Sequence, residues 1–234
     1  MGIEADHGML QKRIVFPGLK RGSMQPSTEP DPLARLLGAA MPAHADPAAL
    51  ARAAIARFGS LAAVLAAPLR ELQGFAGFGV HSLAAIKLLH EAALRLSRAR
   101  MAGEVVLADP PRLIGYLSAV LAREKIEQFR ILFLDAADRL ITDEAQARGT
   151  VNHTPVYPRE VVRRALELEA AAIILVHNHP SGDPTPSPDD IAMTVKVVAA
   201  AAVLGILVRD HVIIGNGRWT SFRDAGLLPD QEPA

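Results

Sequence analysis

The chain contains no cysteine, which removes disulfides, cysteine-based zinc fingers, iron–sulfur clusters and thiol nucleophiles together. Any metal it binds must be held by histidine and carboxylate. An excess of charge is missing too: 25 Lys plus Arg face 25 Asp plus Glu. No whole-chain field therefore draws the protein to nucleic acid or to an anionic membrane, and only a local patch can serve that purpose. No uninterrupted apolar run reaches the ~18 residues of a membrane-spanning helix, and the N-terminus lacks the apolar stretch of a secretory signal. These absences lead to the expectation of a cytoplasmic protein with no membrane partner.

What is present is apolar material: half of the 234 residues are hydrophobic, enough for a core in one large domain or two modest ones. Residues 1–30 are polar, with scattered Gly and Pro and no sustained period. They read as a flexible tail, with Met24 as an alternative start or the end of an appended leader, and 229–234 read as a second short tail. Residues 31–100 are rich in Ala and Leu at helical spacing, without a β-branched run, and are expected to form a small all-α domain. Within it, helical patterns at 61–72 and 82–96 flank Gly77-Phe78-Gly79-Val80, the layout of a helix-hairpin-helix. Glycines in such a turn let backbone N–H groups approach a phosphate, and Lys87, Arg95, Arg98 and Arg100 add positive charge, so DNA is a candidate partner of this half. The plainer reading is a tight connection followed by arginines that face solvent and complement the helix dipole. His81 and Ser82 also stand where a DNA-binding hairpin often offers lysine.

Residues 101–122 read as a linker, with Asp109-Pro110-Pro111, running into a lead-in helix. From 123 to 228 the pattern changes. Strand candidates at 129–134, 172–176, 206–214 and 219–222 alternate with helices at 158–168 and 187–204, and Gly215-Asn216-Gly217 turns the last two strands into a hairpin. The order β-β-α-β-α-β-β, whose second strand falls between 134 and 158, predicts an α/β sandwich with a mixed sheet.

The stretch from His177 to Asp190 carries the chemistry. A buried apolar strand runs into His177-Asn178-His179, and because strand side chains alternate, the two histidines share a face with Cα atoms about 6.5–7 Å apart while Asn178 points away. A Pro- and Gly-rich loop turns back, and Ser187-Pro188-Asp189-Asp190 opens a helix with a serine cap, which puts Asp190 in the first turn near the loop mouth. Two imidazoles and one carboxylate make three protein ligands, the hydrolytic arrangement in zinc sites, in which water takes the fourth position. Read without a metal, the histidines are two satisfied polar residues and Ser187 with Asp190 is a helix cap. Asp183 reads as a turn former, and His153 and His211 as hydrogen-bonded structural histidines or substrate-side contacts.

His177-x-His179, seven residues, Ser187, two residues, Asp190 resembles the JAMM signature of MPN/JAB-domain metalloproteins. The flanking stretches Phe133-Leu134-Asp135, Gly149-Thr150, Val156-Tyr157-Pro158-Arg159-Glu160, His177-Asn178-His179-Pro180-Ser181-Gly182 and Asp210-His211 are similar to the RadC family over about 123–228, with a weaker likeness over 32–100. The resemblance implies a cytidine-deaminase-like sandwich preceded by a helix-hairpin-helix-like all-α domain, and one zinc ion per chain held by His177, His179 and Asp190. It also implies an upstream glutamate as general base. The family's glutamate precedes a phenylalanine by two positions, which selects Glu127 over Glu124; pattern alone leaves both open. Ser187 takes the position of a serine that donates to a developing oxyanion, a role compatible with capping only if different lone pairs or protons are used.

Three functions follow. One is a zinc-dependent peptidase or isopeptidase. The second is a DNA-associated module, in line with the repair label the family carries. The third is an idle zinc-stapled interaction domain. A nucleobase deaminase is disfavoured despite the implied fold, because its usual zinc site needs cysteines.

Overall fold

The computed structural model describes residues 30–41, 46–148 and 156–231. Residues 1–29 of the tail expected at 1–30, the Gly149-Thr150 motif, His153 and the last three residues lie outside the described residues.

Five helices, α1 (Asp31–Ala40), α2 (Pro47–Phe58), α3 (Leu61–Ala66), α4 (Leu69–Gln73) and α5 (Val80–Met101), come first. They enclose a core built on Leu33, Leu37, Ala54, Val64, Leu72 and Ile86. Side-chain caps begin two of them: Asp46 accepts from the N–H of Ala49 and Ser60 from that of Ala63, which satisfies donors that have no intrahelical partner. The helical pattern at 61–72 is not one helix. α3 ends at Ala66 and α4 starts at Leu69, because Pro68 has no N–H to donate and its ring excludes the preceding turn. The turn that follows uses glycine for a steric reason. Gly77 sits at φ +93°, where a Cβ would come within 2.7 Å of Leu50 Cδ1, whereas a Cβ at Gly79 would meet nothing.

After a short 3-10 turn at Val106–Ala108 come α6 (Pro110–Leu121), β1 (Gln128–Leu134), β2 (Leu140–Arg148), α7 (Pro158–Glu167), β3 (Ala172–Asn178), α8 (Pro188–Ala202), β4 (Leu207–Ile214) and β5 (Trp219–Ser221). The five strands form one mixed sheet in the order β2-β1-β3-β4-β5. β3 and β4 are parallel, while β1 runs antiparallel to both β2 and β3, and β5 antiparallel to β4. This is the α/β sandwich read from the sequence, with helices on both faces. Leu113, Ile114, Leu117 and Leu121 of α6 pack against Leu132, Ile174, Val176 and Val212. On the opposite face Val161 and Ala165 of α7 and Val197 and Ala201 of α8 pack against Ile131, Phe133, Ile173 and Leu175. The lead-in helix read at the end of 101–122 is α6, and it forms one wall of the sheet's core.

The helical half is tied to this body at several points. Arg98 donates to Thr142 Oγ1 and to the carbonyl of Asp143, each at 3.1 Å. Arg123 donates to the carbonyl of Phe58 at 2.9 Å, and Lys125 pairs with Glu71 at 2.6 Å. Beneath Arg98, Asp143 has its side chain fully buried and is neutralised by Arg130 at 2.8 Å while accepting from the Tyr116 hydroxyl at 2.5 Å. Burial and the neighbouring Asp143 both push the Tyr116 hydroxyl above its ordinary pKa, so it stays a donor.

Candidate metal centre

His177 is the penultimate residue of β3, the most enclosed strand, every residue of which is buried. Its parity places it on the α7/α8 face, two residues beyond Leu175, and the chain then leaves the sheet at His179. That loop is pinned from two sides: the N–H of His179 donates to the carbonyl of Ile214 at 3.0 Å, and the N–H of Asn216 to that of Gly182 at 3.1 Å. A side chain at Gly215 would run into the Gly182 carbonyl, so the β4–β5 turn needs glycine to approach so closely. α8 returns with Ser187 as its N-cap. The Ser187 N–H donates to Asp190 Oδ2 at 2.8 Å, and the N–H of Asp190 donates back to Ser187 Oγ at 3.1 Å. This capping box holds the Asp190 carboxylate against the histidines.

The three side chains converge. His177 Nε2 lies 3.0 Å from His179 Nε2 and 3.1 Å from Asp190 Oδ1, and His179 Nε2 lies 3.4 Å from Asp190 Oδ2. Among the described residues this is the group of histidine and carboxylate ligand atoms close enough to share one ion. Hydrogen-bond directions show that these atoms present lone pairs to one another. Thr194 Oγ1 donates to the carbonyl of Asp190 at 2.6 Å, so the 2.7 Å contact to His211 Nδ1 must be donated by His211. Burial, and then the neighbouring His177, hold the His211 imidazole well below its ordinary pKa. Neutral His211 therefore accepts at Nε2 from His177 Nδ1, 2.8 Å away. That fixes His177 with its lone pair on Nε2. His179 Nδ1 faces the carbonyl of Asp183 at 2.8 Å and must donate, so in the neutral imidazole that binds a metal its lone pair is also on Nε2.

Two imidazole lone pairs and an anionic carboxylate aimed at one point repel unless a cation sits among them. The spacing suits a metal ion: with metal–ligand bonds of about 2.0–2.1 Å, tetrahedrally arranged donors are separated by about 3.3 Å. The electrostatics agree. Burial alone would raise Asp190, but the imidazoles of His177 and His179 and the Ser187 hydroxyl outweigh it and hold the carboxyl far below its usual range. Burial likewise lowers His179, yet Asp190, the Asp183 carbonyl and the charge of Glu127 together raise it. Both shifts mark a pocket that attracts positive charge.

Beside the three ligands lies a cavity of about 450 Å³ whose lining includes His177, Asp190 and Glu127. Glu124 is exposed and does not line it. Ser187 is not on its wall either, and its single hydroxyl proton goes to Asp190 Oδ2 at 2.7 Å. As placed, Ser187 orients Asp190, and donation to an oxyanion requires that proton to be released. Asp183 forms a turn, its Oδ1 accepting from the N–H and hydroxyl of Thr185 at 3.2 and 2.9 Å.

Four supporting residues escaped the sequence reading in whole or part. Thr194 lies one helical turn beyond Asp190, a spacing that places both on one face of α8, and only that spacing could have signalled it. His211 reaches the site through an irregularity: Ile173 pairs with Val208 but Ile174 pairs with Asp210. The extra residue, Arg209, reverses the parity of β4 and turns His211 onto the face of His177. Asp210 steadies this corner, accepting from Ser221 Oγ and from the N–H groups of His211 and Arg223, and burial pushes its pKa up to about 6. Asn178 does point away from the ligands, but not idly. Its Oδ1 accepts from the N–H of Gln128 at 2.9 Å and its Nδ2 donates to the carbonyls of Glu124 and Ile126 at 3.2 and 3.3 Å. It thus clamps the segment that carries Glu127.

A strand-end His-x-His completed by an aspartate from the next helix, on a mixed sheet between helical layers, defines a JAB-type domain. Known proteins narrow this class. The RadC-like JAB domain model matches residues 107–227. A UPF0758 protein of Rhodobacter capsulatus is 53% identical over 179 residues, covering 76% of this chain and 84% of that protein. A UPF0758 protein of Ruegeria pomeroyi is 48% identical over 179 residues, covering 76% and 80%. The chain belongs to the RadC-like JAB domain family.

Proposed function

We propose that this protein is a zinc-dependent hydrolase of the JAMM type that cleaves a peptide or isopeptide bond. The observation that carries the reading is the convergence of three lone-pair donors beside a cavity that Glu127 also lines. His177, His179 and Asp190 are the residues that hold the ion, and their His/His/carboxylate chemistry without sulfur matches hydrolytic zinc sites. Zinc held there would supply Lewis acidity and would make water more acidic at the site, with a pKa of about 7. Glu127 accepts the proton of the attacking water on its carboxylate and returns it to the leaving amine. Asn178 keeps the Glu127 segment in place, and Ser187 keeps Asp190 aimed at the histidines. The cavity walls, including Phe129, Val156 and Met193, shield the reacting carbonyl from bulk water, which strengthens each of these interactions.

Replacing Glu127 separates this reading from an idle, metal-stapled domain, because a base is not needed to hold the ion. A panel of peptide and isopeptide conjugates first identifies a substrate whose turnover depends on zinc. On that substrate, Glu127→Gln is expected to retain its zinc and lose roughly 10²–10⁴-fold in rate, with Glu124→Gln close to the parent. Undiminished turnover in Glu127→Gln would refute the base. No zinc-dependent turnover across the panel would favour the idle domain.

A further inference from the structure

The cavity carries a feature that metal and base leave unused. Asp189, Ala192, Met193 and Lys196 all line it, at intervals of three, four and seven residues from Asp189, so a single face of α8 forms one wall. Lys196 lies six residues beyond Asp190, about 9 Å along the helix axis. The lining combines acidic groups and His177 with mostly apolar residues and a single lysine, Lys196, which lies toward the C-terminal end of the α8 wall. Lys196 is exposed and has no ion-pair partner among the described residues.

A lone ammonium on the wall of a partly apolar groove attracts an anion, and the distance says where on a peptide that anion falls. An extended chain advances about 3.3–3.6 Å per residue, so about 9 Å corresponds to two or three residues. We propose that Lys196 is a specificity-determining residue, pairing with a substrate carboxylate two or three residues removed from the scissile carbonyl. The groove then takes the carbonyl at the metal end, an apolar side chain along the wall, and the carboxylate at Lys196. The carboxylate has two possible sources: the free terminus of a short leaving segment, or the side chain of an acidic residue. The inference rests on the hydrolase reading for the scissile bond but not for the carboxylate, which binding alone reports.

The test uses zinc-loaded full-length protein and three dansyl-labelled Ala/Leu pentapeptides: a free acid, its amide, and an amide with Glu at the third position. Affinities are read from dansyl fluorescence. At least one carboxylate peptide is expected to bind about ten-fold more tightly than the plain amide, a factor in keeping with one charge-assisted hydrogen bond. The preference should vanish in Lys196→Met and persist in Lys196→Arg; because the side chain is exposed, neither change threatens the fold. Preference for the free acid alone identifies a chain terminus as the source, and preference for the Glu peptide alone identifies an acidic side chain. Three equal affinities, no binding by any peptide, or a preference that survives Lys196→Met would overturn the proposal, the last because the zinc itself would then be capturing the carboxylate. A Lys196-dependent preference without any hydrolysis keeps the subsite and removes the hydrolase; hydrolysis without the preference does the reverse.

Discussion

Two regions of this chain offered a polar turn with functional promise, and the structure treats them in opposite ways. In the helical half, the groups that could greet a phosphate are largely consumed by the protein itself. Lys87 donates to the carbonyls of Leu65 and Ala67 at 3.2 and 2.5 Å, which closes the end of α3, and burial lowers its pKa. The N–H of Gly79 donates to Ser82 Oγ, Arg95 pairs with Glu91, and Arg98 reaches β2. In the α/β half, every outer partner of the two histidines is satisfied, and that satisfaction drives their lone pairs onto one point. A functional site is marked less by how many polar residues gather than by where internal partners run out.

The largest effect that probes this contrast concerns whether the halves separate. A fragment starting at residue 123 lacks α6, and with it the cover over Leu132, Ile174, Val176 and Val212. At about 1.5–3 kcal/mol for each large apolar side chain left exposed, four such losses rival the 5–15 kcal/mol of a whole domain. It is expected to show no cooperative unfolding transition, while a fragment from residue 102 should show one; urea denaturation followed by circular dichroism compares them. A folded 123–234 fragment would mean that α6 is dispensable.

Removing a ligand comes next. His177→Ala and Asp190→Ala should purify with far less than one zinc per chain by elemental analysis, since two ligands compete poorly with water and chelators. Full zinc content in both would show that the metal is held elsewhere. Behind the ligands, Thr194→Val removes the acceptor that fixes the His211 tautomer, and His211→Ala removes the partner of His177. Each should weaken zinc by about 10–100-fold in competition with a chromophoric chelator, with Thr194→Ser close to the parent. An unchanged affinity in both would break the chain of hydrogen-bond directions on which the lone-pair argument stands.

The smallest effects lie in the helical turn. Gly77→Ala forces a Cβ onto Leu50 at positive φ and should cost about 1–3 kcal/mol by thermal or urea unfolding, with zinc content unchanged. Gly79→Ala has open space around it and should change stability by less than about 1 kcal/mol. It is therefore the cleaner variant for asking whether this turn meets DNA. If DNA binding with a steep salt dependence is found and Gly79→Ala weakens it while the fold is intact, the turn is more than a connector.

Much of the α/β half was legible in the chain because its signals are local. Alternation and β-branched runs mark the strands, Pro158 and Ser187 mark helix starts, and a two-residue interval puts His177 and His179 on one face whatever surrounds them. The helical half was less so: a continuous pattern at 61–72 hid the break at Pro68, because apolar spacing reports a face and not the loss of one backbone donor. By itself the sequence determined that a metal here must be bound by histidine and carboxylate, and which strand end and helix start would supply them. Only the tertiary structure decided which nitrogen of His177 carries its lone pair, because that follows from His211, 34 residues away, and from Thr194, 17 residues from His211, which sets the His211 tautomer. One of those partners, His211, reaches the site through a one-residue bulge, and pairing register depends on the neighbouring strand and leaves no mark on the chain that carries it.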